Sequence, residues 1–252
     1  MGQSDKAREA ALVIFAKAPI PGQVKTRLCP PLTLDEAASL HGSFVLDALE
    51  RSRDANEYGS VTVERFLACA PPADHVFFKI MEERHRVRLL RQTGDDLGAR
   101  MDHAFKEVFA LGYQRALLAG TDVPSLPASY YGQAFSLLSD HDLVLGPSLD
   151  GGYYLIGLKQ PVPDLFMGIP WSTDQVCSMT RAKAETLGLK TALLPTWRDV
   201  DTIDDLVALI EENGLETRSK KRGPSSPAYG LSLRTAGALR LLASRLKSRT
   251  RN

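Results

Sequence analysis

The chain has 252 residues, 44% hydrophobic and 24% charged, at a formal net charge of +1. This is an ordinary globular composition, enough for one large or two small domains. Its apolar runs fall short of the ~18 residues of a membrane span, and the polar start Met1–Glu9 lacks the basic and apolar blocks of a signal peptide, so a soluble cytoplasmic protein is expected.

Cys29, Cys69 and Cys177 form no Cys-x-x-Cys pair, and the histidines are scattered without His-x-x-x-His spacing. Zinc-ribbon, thioredoxin and histidine–cysteine metal sites are therefore not expected. The small net charge conceals an asymmetry: residues 1–216 carry 21 Lys and Arg against 30 Asp and Glu, whereas residues 217–252 carry 10 basic residues and no acidic one. The break predicts an acidic domain over 1–216 and a basic tail over 217–252.

Ala11–Lys17, "ALVIFAK", is a short continuous apolar run ended by turn residues and reads as a buried strand. A helix follows over "TLDEAASLHGSFVLDALERS", where Thr33 and Glu36 have capping-box spacing. Val61–Ala70 reads as a strand stopped by two prolines, "HVFFKIMEERH" as a helix and Val87–Gln92 as a short strand. "DDLGARMDHAFKEVFALG" suits a helix ending near Gly112, Arg115–Gly120 a strand and "ASYYGQAFSLLS" a helix. "DLVLGPS" and "YYLIGLK" read as strands joined through "LDGG", and "STDQVCSMTRAKAETLG" as a helix capped by Ser172 or Thr173. "KTALLP" is a further strand, and "TIDDLVALIEENG" a helix capped by Thr202, with Asp204 and Asp205 at the positive end of its dipole.

This alternation predicts an α/β fold of three layers, a mostly parallel sheet with helices on both faces. In the tail, "SKKRGPSSPAYG" reads as linker. "LSLRTAGALRLLASRLKSR" sets Leu239, Leu242 and Leu246 at helical spacing among arginines. The tail is thus expected to be flexible with a short amphipathic helix, either plain disorder or a dock for an anionic surface.

Ligands of such sheets sit beyond the carboxyl ends of the strands, where strand order reverses, which directs attention to the loops after Lys17, Gly120, Ser148 and Pro195. In "AKAPIPGQVKTRL", Gly22 permits close backbone approach, Lys25 supplies a point charge and Arg27 a planar fork for phosphate oxygens. The same spacing also suits a basic surface loop, and it matches neither Gly-x-x-x-x-Gly-Lys-Ser/Thr nor Gly-x-Gly-x-x-Gly. In "LLAGTDVPSLP", Asp122 follows a buried strand and a glycine, the placement of a carboxylate that holds Mg²⁺ beside phosphates, or of a turn cap before Pro124. In "GPSLDGGYYLIGL", Asp150 precedes Gly151 and Gly152, which could floor a ligand pocket or form a hairpin turn. Asp199 and Asp201 share a face on an extended segment, so Asp201 is a second metal-ligand candidate or a helix cap. Trp171 in "IPWSTD" lines an acceptor pocket or fills the core.

Together, "FAKAPIPGQVKTRL", "GDDLGARM", "GTDVPSL", "DGGYYLIGL", "IPWST" and "RDVDTIDDL", in this order, resemble the transferases labelled radical-SAM/selenodomain-associated transferase 1, some of which are labelled arsenosugar-biosynthesis glycosyltransferase. The resemblance covers roughly residues 10–212 and leaves out the basic tail. It implies the nucleotide-diphospho-sugar transferase superfamily and its GT-A fold, with guanylyltransferases and cytidylyltransferases as more distant relatives. By that resemblance, Lys17, Gly22, Lys25 and Arg27 bind nucleotide phosphates, Asp122 holds Mg²⁺ or Mn²⁺ with help from Asp201, and Gly98 and Arg100 lie near the nucleotide. Asp150, Gly151, Gly152, Trp171, Ser172 and Thr173 are the acceptor-side candidates. The Asp-x-Asp of many glycosyltransferases is missing, since Val123 and Pro124 follow Asp122.

Three functions fit. Nucleotidylyl transfer onto a small acidic acceptor is favoured by two cations in the first loop and by the single strand-end aspartate, with Lys25, Arg27 and Asp122 as the catalytic set. Glycosyl transfer from a nucleotide sugar uses the same residues and is the reaction in the resemblance's label. The third is an inactive nucleotide-binding module with a basic docking tail. Composition and motifs fix neither the nucleobase, the acceptor nor the oligomeric state.

Overall fold

The computed structural model describes residues 8–56, 62–215 and 230–246. Seven strands form one sheet in the order β3-β2-β1-β4-β6-β5-β7. They are β1 (Arg8–Ala16), β2 (Val63–Cys69), β3 (Arg88–Arg91), β4 (Tyr113–Ala119), β5 (Leu143–Pro147), β6 (Tyr153–Leu158) and β7 (Thr191–Leu193). β6 runs antiparallel to β4 and β5, and the remaining pairs are parallel. The helices are α1 (Leu34–Arg51), α2 (Val76–His85), α3 (Leu97–Ala110), α4 (Ser129–Leu137), α5 (Val176–Thr186), α6 (Ile203–Glu212) and α7 (Leu233–Leu246).

The two-residue side-chain period of a strand divides β1 between two cores. Leu12 and Ile14 face α1, α2 and α4 through Leu49, Phe78 and Phe135, while Ala11 and Val13 face α3 and α5 through Phe105 and Ala184. The near-continuous apolar runs of the central strands follow from this burial on both faces. The capping boxes expected at Thr33 with Glu36 and at Thr202 with Asp205 both form. The first three strands run outward as β1, β2 and β3, and β4 then returns to the other side of β1. Strand order therefore reverses between β1 and β4, and a crevice opens beyond their carboxyl ends.

Two local expectations change. The helix expected from Ser172 or Thr173 begins only at Val176, because Ser172 takes a left-handed φ of 67° and the Thr173 hydroxyl donates to the Pro170 carbonyl at 2.7 Å. In the basic tail, the amphipathic helix forms as α7, and its apolar face is covered. Leu239, Leu242 and Leu246 pack with Leu40 and Phe44 of α1 and with Leu206, Leu209 and Ile210 of α6 in a third core. Arg234 pairs with Asp47 at 2.9 Å and Glu50 at 2.7 Å, and the Thr235 hydroxyl donates to Asp47 at 2.6 Å. Residues 230–246 are thus joined to the body by apolar burial and by charge, although their composition sets them apart. The expected linker lies outside the described residues except for Gly230. Among the described residues no helix is long and apolar enough to cross a membrane.

Candidate active site

The loop leaving β1 meets the loop leaving β4 at the reversal. Lys25 sits at the head of a short 3-10 turn, Thr26–Leu28, in left-handed conformation (φ 48°). Its side chain is 5% exposed, and its ammonium reaches three oxygens: Asp122 Oδ1 at 2.6 Å, Asp201 Oδ1 at 2.8 Å and the Val200 carbonyl at 2.7 Å. The contacts to Asp201 and Val200 are hydrogen bonds, and Asp122 is held as a close ion pair.

The backbone fixes both aspartates. Val200 N–H donates to the Asp122 carbonyl at 2.9 Å, clipping the two loops together. Behind Asp122, the buried Arg51 of α1 donates to the carbonyls of Val123 (3.2 Å) and Pro124 (2.7 Å). Asp201 precedes the α6 cap, and its amide donates to Asp205 Oδ2 at 3.2 Å. The segment entering α6 is pinned to the end of β5, with Trp197 N–H on the Pro147 carbonyl at 3.0 Å.

Charge pairing decides the protonation states here. Burial pulls the Lys25 ammonium down, but Asp122 and Asp201 outweigh it and hold the group above its ordinary value. Burial pushes Asp122 up, yet Lys25 prevails and the carboxyl lies below the usual range. The two shifts agree, and Lys25 and Asp122 are both charged at neutral pH. One edge of the Asp122 carboxylate is buried against Lys25, and the side chain as a whole is 43% exposed toward the crevice. His41 of α1 sits beneath. Its Nε2 is 3.1 Å from the Lys17 carbonyl, so Nε2 carries the proton, and its buried Nδ1 faces Asp122 Oδ1 at 4.0 Å. Burial lowers the His41 pKa despite Asp122, leaving a neutral ring at pH 7.

On the far side of Asp201 stand Asp150 and Asp199, the three carboxylates having one oxygen each within 4.8 Å of the others. Asp199 is pushed up to about 7 by burial and then by its acidic neighbours, Asp150 first. Asp150 is oriented by the Gly152 amide, which donates to its Oδ1 at 2.8 Å.

These groups open on a pocket of about 650 Å³. Of the residues singled out in the sequence, Arg27, Asp122, Asp150, Gly152, Trp171, Ser172, Thr173, Asp199 and Asp201 line it. Lys25 is bonded to two of the lining aspartates. Lys17, Gly22, Gly98, Arg100 and Gly151 are outside the lining. Lys17 and Gly22 are exposed, Gly22 at a turn with φ 79°. Arg100 donates from Nε to the Gly94 carbonyl at 3.0 Å. Gly98 and Gly151 act from behind: a Cβ on Gly98 would lie 2.4 Å from the Trp171 indole, and one on Gly151 2.0 Å from the Asp174 carbonyl oxygen. The two glycines let the Trp171 wall and the α5 entry close on the pocket. His41 and Arg51 carry no motif in the sequence, since a lone histidine or arginine on an amphipathic helix has no local signal for what it meets across the fold, and Asp174 stands in "IPWSTD" without an assigned role.

An open, mostly parallel α/β sheet of this kind, with helices on both faces, is the fold of nucleotide-diphospho-sugar transferase neighbours. The chain is 33% identical to a protein of Desulfovibrio desulfuricans G20 named as a "putative nucleotide-diphospho-sugar transferase", covering 93% of this chain and 97% of that one at a TM-score of 0.75. It belongs to the same family, within the nucleotide-diphospho-sugar transferase superfamily. Residues 57–173 also match the family described as "Uncharacterized protein conserved in bacteria (DUF2064)". Two further solved structures share the fold at 12% identity and a TM-score of 0.53. One is a cytidylyltransferase of Leptospira borgpetersenii, with 95% of each chain covered, and the other CMP:2-keto-3-deoxy-manno-octonic acid synthetase complexed with CTP, with 83% of this chain and 100% of that one covered. No curated protein matches the chain.

Proposed function

We propose that the protein is a metal-dependent transferase that moves a sugar from a nucleotide-sugar donor to a neutral, hydroxylated acceptor. The observation that carries this choice is the charge of the acceptor half of the pocket. Asp150, Asp174 and Asp199 line it with Tyr153, Trp171, Ser172 and Thr173, and Arg27 is the lone cation among the lining residues. An acidic acceptor would meet carboxylates there without a counter-charge, which costs more as the site closes and its dielectric falls. Hydroxyls suit carboxylate acceptors and an aromatic wall.

Arg27 and Lys25 are the groups for the donor's phosphates. Asp122, Asp201 and the Val200 carbonyl offer oxygen donors alone, a set that suits Mg²⁺ or Mn²⁺. Such an ion would supply charge neutralisation to the leaving diphosphate. Asp199, which lines the pocket and whose carboxyl is pushed up to about 7 by burial and its acidic neighbours, suits proton abstraction from an acceptor hydroxyl. A second reading, nucleotidylyl transfer, draws support from the pairing of Lys25 with Arg27, which suits a triphosphate.

Thermal stability is measured with each nucleoside triphosphate and each UDP- or GDP-sugar, with Mg²⁺ or Mn²⁺. A metal-dependent rise with a nucleotide sugar is expected, and no shift with any of them overturns the proposal. Given an acceptor, release of free nucleoside diphosphate supports sugar transfer, and release of pyrophosphate supports the second reading instead.

A further inference from the structure

The Lys25 ammonium occupies a cradle built for a hard cation. Its three partners are two carboxylate oxygens and a main-chain carbonyl at 2.6–2.8 Å, and its side chain is 5% exposed. Held between these three oxygens and almost wholly buried, the ammonium is not presented to a phosphate while it stays there. Asp122 and Asp201, by contrast, remain 43% and 39% exposed and face the crevice. The loop bearing Lys25 is exposed from Pro21 to Gln23, and the lysine's own backbone is already left-handed.

We propose that Lys25 is the resident cation of the free enzyme: it fills the site of the divalent ion between Asp122 and Asp201, and donor phosphates draw it out, so that metal and nucleotide bind together and the metal alone binds poorly. Two positive charges cannot share one cradle a few ångströms across, and anionic phosphates at Arg27 give the ammonium an alternative set of oxygens. The inference rests on the metal-dependent reading above and adds an order of binding to it. The free protein keeps its carboxylates neutralised without metal, and the lysine is released when the donor arrives.

The test is Mn²⁺ binding, followed by calorimetry and by the electron paramagnetic resonance of the free ion, on the full chain with and without UDP. Lys25→Met is compared with Lys25→Gln, whose neutral, polar amide is the milder replacement if the methionine variant does not fold. Without nucleotide, either variant is expected to bind Mn²⁺ at least tenfold more tightly than wild type, or to take up an additional equivalent, and adding Asp122→Asn abolishes the gain. UDP raises Mn²⁺ affinity in wild type by a similar factor and does so far less in the variants. If wild type binds Mn²⁺ with UDP but Lys25→Gln is no tighter than wild type without it, the resident-cation role is wrong and the metal-dependent reading stands. If neither protein binds Mn²⁺ under any condition, both fall.

Discussion

Gly98→Ala puts the link between α3 and the Trp171 wall to the test. The added methyl would lie 2.4, 2.6 and 2.7 Å from three atoms of the indole. Carbon atoms rest at about 3.5–4.0 Å, so the ring must move by more than ~1 Å. Overpacking of this kind costs ~1–3 kcal/mol, while alanine in place of glycine returns at most ~1 kcal/mol of helix propensity, less in a first turn. The expected net loss is ~1 kcal/mol, which at this chain length lowers Tm by ~2–4 °C. The larger consequence falls on the pocket, since the displaced indole is one of its walls. Trp171 is one of two tryptophans in the chain, and Trp197 can be replaced by phenylalanine to leave it as the sole reporter. In that background Gly98→Ala should shift the emission maximum and remove any quenching caused by acceptor. A rise in Tm of a few degrees with unchanged emission would show that the indole does not sit on Gly98, and the argument for this wall would fail.

Gly151→Ala should be worse than Gly98→Ala, by ~3 kcal/mol or more, because its methyl meets the Asp174 carbonyl oxygen at 2.0 Å with φ at 90°, and a main chain that also starts α5 cannot yield as a side chain can; equal losses in urea denaturation would contradict this. Leu239→Ala, in the basic C-terminal segment, should cost ~2–5 kcal/mol, since Leu239 is fully buried against α1 and α6. A loss below ~0.5 kcal/mol would mean that α7 is not docked in solution. Burial pushes Asp205 up, but the Thr202 hydroxyl and the amides of Thr202 and Asp201 donate to it and hold its pKa below the usual range. Because the folded pKa is lower than the unfolded ~3.9, this carboxylate stabilises the fold above that pH and loses its contribution as pH falls through the folded value. The Tm gap between wild type and Asp205→Asn should therefore be full at pH 7 and shrink below pH ~4; a gap independent of pH would remove the carboxylate's charge from the cap.

What the sequence announces is what local chemistry controls. The double-sided burial of β1 appears as an unbroken apolar run, and the two capping boxes mark the starts of α1 and α6 in sequence and structure alike. The start of α5 is illegible because a left-handed serine and a hydroxyl turned back to Pro170 are conformational outcomes that the letters Ser-Thr do not specify. The docking of α7 is hidden for another reason. Arginines beside leucines describe equally a helix on an anionic surface and a helix whose arginine reaches Asp47 and Glu50 while its leucines fill a core.

The site shows the same division, and Lys25 shows its consequence. Spacing in "GQVKTRL" marks a cation near a strand end, and "GTDVPSL" and "RDVDTIDDL" mark carboxylates near two others. That the lysine lies between those carboxylates is a fact of topology, because residues 97 and 176 positions away in the chain are brought to one sheet edge by the reversal between β1 and β4 and by the clip from Val200 to Asp122. Reading the motifs separately assigns the lysine to phosphate and the aspartates to metal. Their contact in the structure joins the two assignments: the group that neutralises the aspartates is the one the proposal gives to the phosphates. On the proposed reading, a site arranged this way would resist the metal until its nucleotide arrives, and any substitution that frees Asp122 and Asp201 from Lys25 should uncouple the two.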